Sequence, residues 1–185
     1  MRRVRREAKA SARGGGRALA RRFLAGVRFA GIPLAKGLVA AAYYPIGSEA
    51  DCRPLMLALH ARGVRLALPV AMGPARPLAF RRWRPGQGLR AGVLGVPEPL
   101  GGGPVLPDLL IVPLLAFDAR GFRLGQGGGY YDRTLAQLRR RKRIVAVGLA
   151  FAAQELDEVP ADMHDAPLDV IVTERRVFRI RQVRA

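Results

Sequence analysis

The chain has 185 residues, half of them hydrophobic, which is enough for one domain with a real core and too apolar for disorder throughout. Its single cysteine, Cys52, excludes an internal disulfide and a CxxC metal pair and fits a reducing compartment. The formal charge of +18, from 32 basic and 14 acidic residues, suggests an anionic partner, although the basic residues are spread along the chain without the interleaved aromatics of a single-strand-binding face.

The first 28 residues carry nine arginines and Lys9, with Glu7 as the only acid. No apolar stretch follows at signal-peptide spacing. Nor does any run reach the ~18 apolar residues of a membrane span, because Pro33 and Lys36 interrupt the stretch from Phe29 to Ile46. Helices are predicted over Arg2 to Lys9 and Arg17 to Ala30, separated by Arg13-Gly14-Gly15-Gly16. On the first, Arg2 and Arg6 lie one turn apart, placed either to grip one anion or to form a solvated face.

Gly37 to Tyr44 reads as a buried strand ended by Pro45, so Ile46-Gly47-Ser48-Glu49 falls at a strand's C-terminal end, where open α/β sheets place ligands. Asp51 is the expected N-cap of a helix that carries Leu55, Met56 and Leu59 inward and ends at Gly63. Strands are predicted over Val64 to Val70 and Leu78 to Trp83. Pro85 to Pro107, rich in Gly and Pro, reads as a long loop or lid. Asp108 to Val112 is the clearest buried strand. After it come a glycine-rich turn, a helix over Thr134 to Arg141, and strands over Ile144 to Gly148 and Val170 to Thr173. Apolar strands alternating with helices argue for an α/β domain with a mainly parallel sheet.

The turn, Arg123-Leu124-Gly125-Gln126-Gly127-Gly128-Gly129-Tyr130-Tyr131-Asp132, has four glycines in five positions. Its main-chain N–H groups can approach an anion without a Cβ in the way, and a helix start follows it. Arg123 adds a forked cation and Asp132 a candidate Mg²⁺ ligand. The pattern matches neither a Walker A loop nor the dinucleotide fingerprint. A second cluster, Asp162, His164, Asp165 and Asp169, offers oxygen ligands for a hard cation, and capping or solvated roles for these acids stay equally open.

Set in order, these pieces resemble the 5-formyltetrahydrofolate cyclo-ligases. The resemblance rests on Tyr43-Tyr44-Pro45 with Glu49, Arg62-Gly63 leading to Ala67-Leu68-Pro69, Phe80 with Trp83, and Gly95-Val96-Pro97-Glu98-Pro99. It continues through the block from Val112 to Asp132, then Gly148-Leu149-Ala150-Phe151 with Gln154, and Pro160 to Asp169 with Thr173. It runs collinearly from about residue 38 to 175.

The resemblance implies one α/β domain spanning 1–185, with a mainly parallel, Rossmann-like three-layer sheet and flanking helices. It implies ATP- and Mg²⁺-dependent closure of 5-formyltetrahydrofolate to 5,10-methenyltetrahydrofolate, with Arg123 and Tyr130 as catalytic residues. ATP would be held by Arg2, Arg6, and the run Arg123, Leu124, Gly125, Gln126, Gly127, Gly128, Gly129, Tyr130 and Tyr131. Glu49, Trp83 and Gln126 to Tyr130 would contact the folate, and Asp132 and Asp165 the metal. Gln126 stands where the family often carries Arg or an aromatic. The expected protein is a cytoplasmic monomer with no membrane or nucleic-acid partner. Two alternatives stand beside this reading, a basic polyanion- or RNA-binding protein and a folate-binding homologue without turnover.

Overall fold

The structure, a computed structural model, describes residues 1–12, 14–29, 34–93 and 95–180, apart from the side chains of residues 27–29. Its elements run α1 (Arg2–Ser11), α2 (Gly15–Phe29), β1 (Val39–Ala41), α3 (Arg53–His60), β2 (Arg65–Val70), β3 (Ala79–Trp83), β4 (Leu89–Ala91) and β5 (Pro97–Pro99). They continue with β6 (Leu109–Pro113), β7 (Ala116–Phe117), β8 (Arg123–Leu124), α4 (Tyr130–Arg141), β9 (Val145–Leu149), a 3₁₀ turn (Ala152–Gln154), β10 (Val170–Val172) and β11 (Val177–Arg179).

Seven strands form one sheet in the order β11-β10-β9-β6-β1-β2-β3, parallel from β10 to β2 and antiparallel at both edges. A parallel strand inside such a sheet is buried on both faces and must be apolar throughout. β6 meets that requirement: Leu109 and Ile111 enter one core while Leu110 and Val112 enter the other. The first core is closed by Leu19 and Phe23 of α2 and Leu55, Met56 and Leu59 of α3, with Ala8 of α1 packed against it. The second is closed by Leu135 and Leu138 of α4. The mainly parallel three-layer α/β sheet is therefore as expected.

Several boundaries differ, each for a local reason. α2 begins at Gly15, because Gly14 alone takes the left-handed conformation (φ 71°), while Gly16 is helical and lies where a Cβ would be 2.7 Å from the Asp51 carbonyl oxygen. The expected end of that helix at Ala30 lies outside the described residues. Cys52, not Asp51, caps α3; the Asp51 carboxylate accepts instead from the Arg53 backbone N–H and guanidinium. The stretch 85–107 is no free lid, since β4 and β5 pair within it and the buried Glu98 accepts from the N–H of Ala71 at 2.9 Å, just past β2. β11 was not anticipated, being three residues long and set at an edge.

Phe117 is fully buried, its ring edge-on to Phe178 at 5.2 Å between centroids. Phe117→Ala is expected to cost about 3–5 kcal/mol in urea unfolding. A loss below about 1 kcal/mol, the ordinary scale of a surface change, would contradict this packing.

Candidate functional site

The strand order reverses between β1 and β6. From β1 the chain passes through α3 to β2 on one side, and from β6 through α4 to β9 on the other. The loops leaving these two strands diverge and open a crevice at the carboxyl edge of the sheet. Helix α1 lies across it. Arg2, Arg5, Arg6 and Lys9 face Ile46, Gly47 and Ser48 of the loop after β1, with Gln126 of the glycine turn opposite, around a cleft of about 460 Å³.

Arg5 holds this arrangement together. Its Nε donates to Ser48 Oγ at 3.0 Å and its Nη1 to the Leu114 carbonyl at 3.2 Å, so one guanidinium bridges the loops after β1 and β6. Burial pulls its pKa below the ordinary arginine value, opposed by the nearby Glu49 carboxylate. Lys9 Nζ donates to the Gly47 carbonyl at 2.7 Å, and Arg2 Nη2 to Gln126 Oε1 at 2.7 Å. Arg2 and Arg6 thus share a cleft as expected, but the inward member of the basic set is Arg5. Its signal was a charge in the stripe of Met1, Val4, Ala8 and Ala12, the part-buried face of α1. A cation survives in such a stripe only when partnered.

Glu49 is buried and accepts the Ile46 N–H at 2.9 Å through Oε2. Burial raises its pKa above the ordinary carboxylate value against the opposing pull of that hydrogen bond, Arg5 and Lys9. Burial likewise pushes the Tyr43 and Tyr131 hydroxyls and the Cys52 thiol up, and the Glu49 charge adds to each. Tyr43 and Cys52 belong to the first core, whereas Tyr131 packs against the second. The Tyr43 hydroxyl donates to the Ala50 carbonyl at 2.6 Å and the Cys52 thiol to the Tyr43 carbonyl at 2.9 Å. Trp83 packs edge-on against Tyr44 at 6.5 Å and donates from Nε1 to the Gln87 carbonyl, away from the residues lining the cleft.

The glycine turn leads into α4, which starts at Tyr130 rather than Thr134. Gly129 caps it in the left-handed conformation (φ 58°) and brings no side-chain acceptor, so the first-turn amides lack the oxygen a Ser or Asp cap supplies. A Cβ at Gly129 would also lie 2.7 Å from Arg133 Nη1. The Arg133 guanidinium sits over the Tyr130 ring at 5.4 Å and donates to the Gly128 carbonyl. Asp118, fully buried at the start of the turn, accepts from Val159 N, Arg120 and Phe122 N. Burial alone would raise its pKa, but those hydrogen bonds outweigh it and hold the carboxyl below the ordinary range.

Arg123 and Asp132, expected to act separately, form an ion pair at 2.6 Å. Asp132 Oδ1 also accepts the Ala166 N–H at 3.2 Å, and Asp165 Oδ2 accepts the Asp162 N–H at 2.9 Å. Each acid thus keeps one oxygen without a hydrogen-bond partner among the described residues. Among those residues no three His, Cys, Asp or Glu side chains gather as a ready metal site. The sequence pattern placed the loop that holds Ser48 at this edge but did not single out Arg5, Lys9, Arg133 or Asp118 as parts of the region.

The family model of the 5-formyltetrahydrofolate cyclo-ligases matches residues 3–174. A 5-formyltetrahydrofolate cyclo-ligase of Mycolicibacterium smegmatis is 38% identical over 151 residues, covering 76% of this chain and 75% of that protein. One from Escherichia coli is 37% identical over 153 residues, covering 79% and 83%. The NMR structure of Aquifex aeolicus 5,10-methenyltetrahydrofolate synthetase superposes with a TM-score of 0.71 at 31% identity, covering 99% of this chain and 94% of that one. The Mycoplasma pneumoniae 5,10-methenyltetrahydrofolate synthetase shares the fold, with a TM-score of 0.67 at 21% identity over 93% and 94%.

Because the buried Glu49 carboxyl holds its proton more tightly than in the unfolded chain, ionising it costs stability as pH rises through and above the usual carboxylate range. Glu49→Gln mimics the protonated form and can keep the Ile46 hydrogen bond. It should raise the melting temperature at about pH 8, with the gain fading toward about pH 4. A pH-independent difference would contradict the burial argument.

Proposed function

The chain belongs to the 5-formyltetrahydrofolate cyclo-ligase family, and from that membership we propose how its crevice closes 5-formyltetrahydrofolate to 5,10-methenyltetrahydrofolate with ATP. The observation that carries the reading is the crevice between β1 and β6, which sets a wall of α1 cations near the glycine turn, whose helix start has no side-chain cap, and near the buried Glu49. The cations and first-turn amides suit phosphates, and the acid suits the N–H groups of a pterin.

The formyl oxygen of the substrate is a poor leaving group. Transfer of the γ-phosphoryl to that oxygen breaks its bond to the β-phosphate and releases ADP. N10 of the folate then attacks the activated formyl carbon, the ring closes, and phosphate departs with the former formyl oxygen. Such transfer depends on positioning and charge neutralisation more than on a protein nucleophile. That agrees with a site built from cations, amides and acids.

In this reading Arg2, Arg6 and Lys9 neutralise ATP phosphates, while Arg5 ties the loops after β1 and β6 to each other. Leu124, Gly125, Gln126, Gly127, Gly128 and Gly129 wrap the nucleotide with Tyr130 and Tyr131, and the turn's far side meets the folate. Glu49 accepts from the pterin, while Trp83, packed on Tyr44 and bonded to Gln87, stays outside the cleft. Asp132 and Asp165 fit Mg²⁺, which takes one or two protein carboxylates beside water and phosphate oxygens, since each keeps one oxygen without a hydrogen-bond partner among the described residues. When bound there the ion would neutralise charge on the β- and γ-phosphates. We extend the reading to a monomer working in the cytoplasm with its folate as partner and neither membrane nor nucleic acid. No helix among the described residues is long and apolar enough to cross a membrane.

Purified protein given ATP, Mg²⁺ and 5-formyltetrahydrofolate should generate the methenyl absorbance, and its absence would overturn the reading. Asp132→Asn should lower turnover by roughly 100-fold or more, the scale on which stabilisation of developing charge is lost. Wild-type turnover in that variant would remove Asp132 from the metal site.

A further inference from the structure

Arg123 is the most enclosed cation of the glycine turn, with a side chain 5% exposed. Both ends of its fork are committed: Nη2 donates to Asp132 Oδ1 at 2.6 Å and Nη1 to the Ala166 carbonyl at 2.6 Å. The Ala166 N–H returns to the same Asp132 oxygen at 3.2 Å. One guanidinium therefore closes a ring of hydrogen bonds through three separate pieces of chain. These are β8, the first turn of α4 that carries Asp132, and the loop in which Asp165 directly precedes Ala166.

From this ring we infer that Arg123 is the positioning residue of the two metal carboxylates and not a ligand of the ATP phosphates. The inference rests on the cyclo-ligase reading, and it reverses the role that the family resemblance gives this arginine. A planar fork can bond a carboxylate and a carbonyl at once, which an ammonium cannot do in the same geometry. By occupying Oδ1 of Asp132 it leaves only Oδ2 for a cation. A single oxygen from each acid is the supply that a near-octahedral Mg²⁺ with water and phosphate ligands requires. By holding Ala166 it also fixes the backbone next to Asp165. The two acids are 33 positions apart in sequence, and their hydrogen bonds run to the Ala166 and Asp162 N–H groups of one loop. Their spacing depends on this intermediary.

The test separates metal from nucleotide. In Arg123→Lys, Mn²⁺ affinity of the complex with a non-hydrolysable ATP analogue, read by electron paramagnetic resonance, should fall about 10- to 100-fold, as when an outer partner of a metal ligand is lost. Affinity for the analogue in EDTA, read by calorimetry, should match wild type. Metal-free affinity that falls in the variant, or Mn²⁺ affinity that does not, overturns the inference. Should the variant fail to fold, a wild-type crystal structure with analogue and Mn²⁺ decides: an intact Arg123–Asp132 pair supports the inference, and Arg123 turned onto the phosphates overturns it. Wild-type protein that binds the analogue but takes up no Mn²⁺ with it overturns the metal assignment itself and the inference with it, whereas a failure confined to the variant leaves that assignment standing.

Discussion

The crevice depends on how β6 ends. A strand buried on both faces has its backbone paired by its neighbours, but the first residues beyond it enter a wall of loops with carbonyls that still need donors. At Leu114 the carbonyl receives Arg5 Nη1 and Gln154 Nε2, and the same Gln154 amide reaches Leu115. The donors come from α1 and the 3₁₀ turn, over a hundred residues and about forty residues away in sequence. Leaving such a carbonyl unpaired would cost on the order of 1–3 kcal/mol. Arg5's share of that pairing ties α1 to the sheet edge, and the cleft wall follows.

Two buried acids illustrate how the same fold makes one carboxylate inert and another responsive. Asp118 is fully enclosed yet saturated by donors from Val159, Arg120 and Phe122, so its charge is stabilised where it sits and it braces the turn. Glu49 has a single backbone donor and shares Arg5 and Lys9 only at a distance, so burial dominates and it keeps its proton more readily. An acid left under-satisfied beside a cleft is available to a ligand's N–H groups, whereas a satisfied one is not. The Arg123–Asp132 pair lies between these cases, with one carboxylate oxygen taken and the other without a hydrogen-bond partner among the described residues.

The departures from the sequence reading have physical causes in common. The glycines of 14–16 read as a uniform breaker, but glycine serves both where φ must be positive, as at Gly14, and where another segment approaches closely, as at Gly16. The stretch 85–107 read as a loop because proline and glycine dominate it, and the buried Glu98 that ties it to β2 has no local signature. Arg2 and Arg6 stand out by their spacing alone, whereas Arg5 is marked only by its place in the small apolar stripe of Met1, Val4, Ala8 and Ala12, whose meaning depends on the partners Ser48 and Leu114.

What the sequence determined by itself was the layer plan: apolar runs such as Leu109 to Val112, too short for a helix and bounded by prolines, read as strands covered on both faces, and the order of strands, helices and glycine turn carried the family pattern. It also marked the segments that would carry Glu49, Asp132 and Asp165, since loops after parallel strands gather at one edge. Tertiary structure alone decided the pairings, Arg5 with Ser48 and Leu114, and Arg123 with Asp132 and Ala166. The reason is geometric. Periodicity and turn chemistry are local properties of the chain, whereas which donor meets which acceptor is settled only when distant segments are brought into contact by burial of the two cores between them.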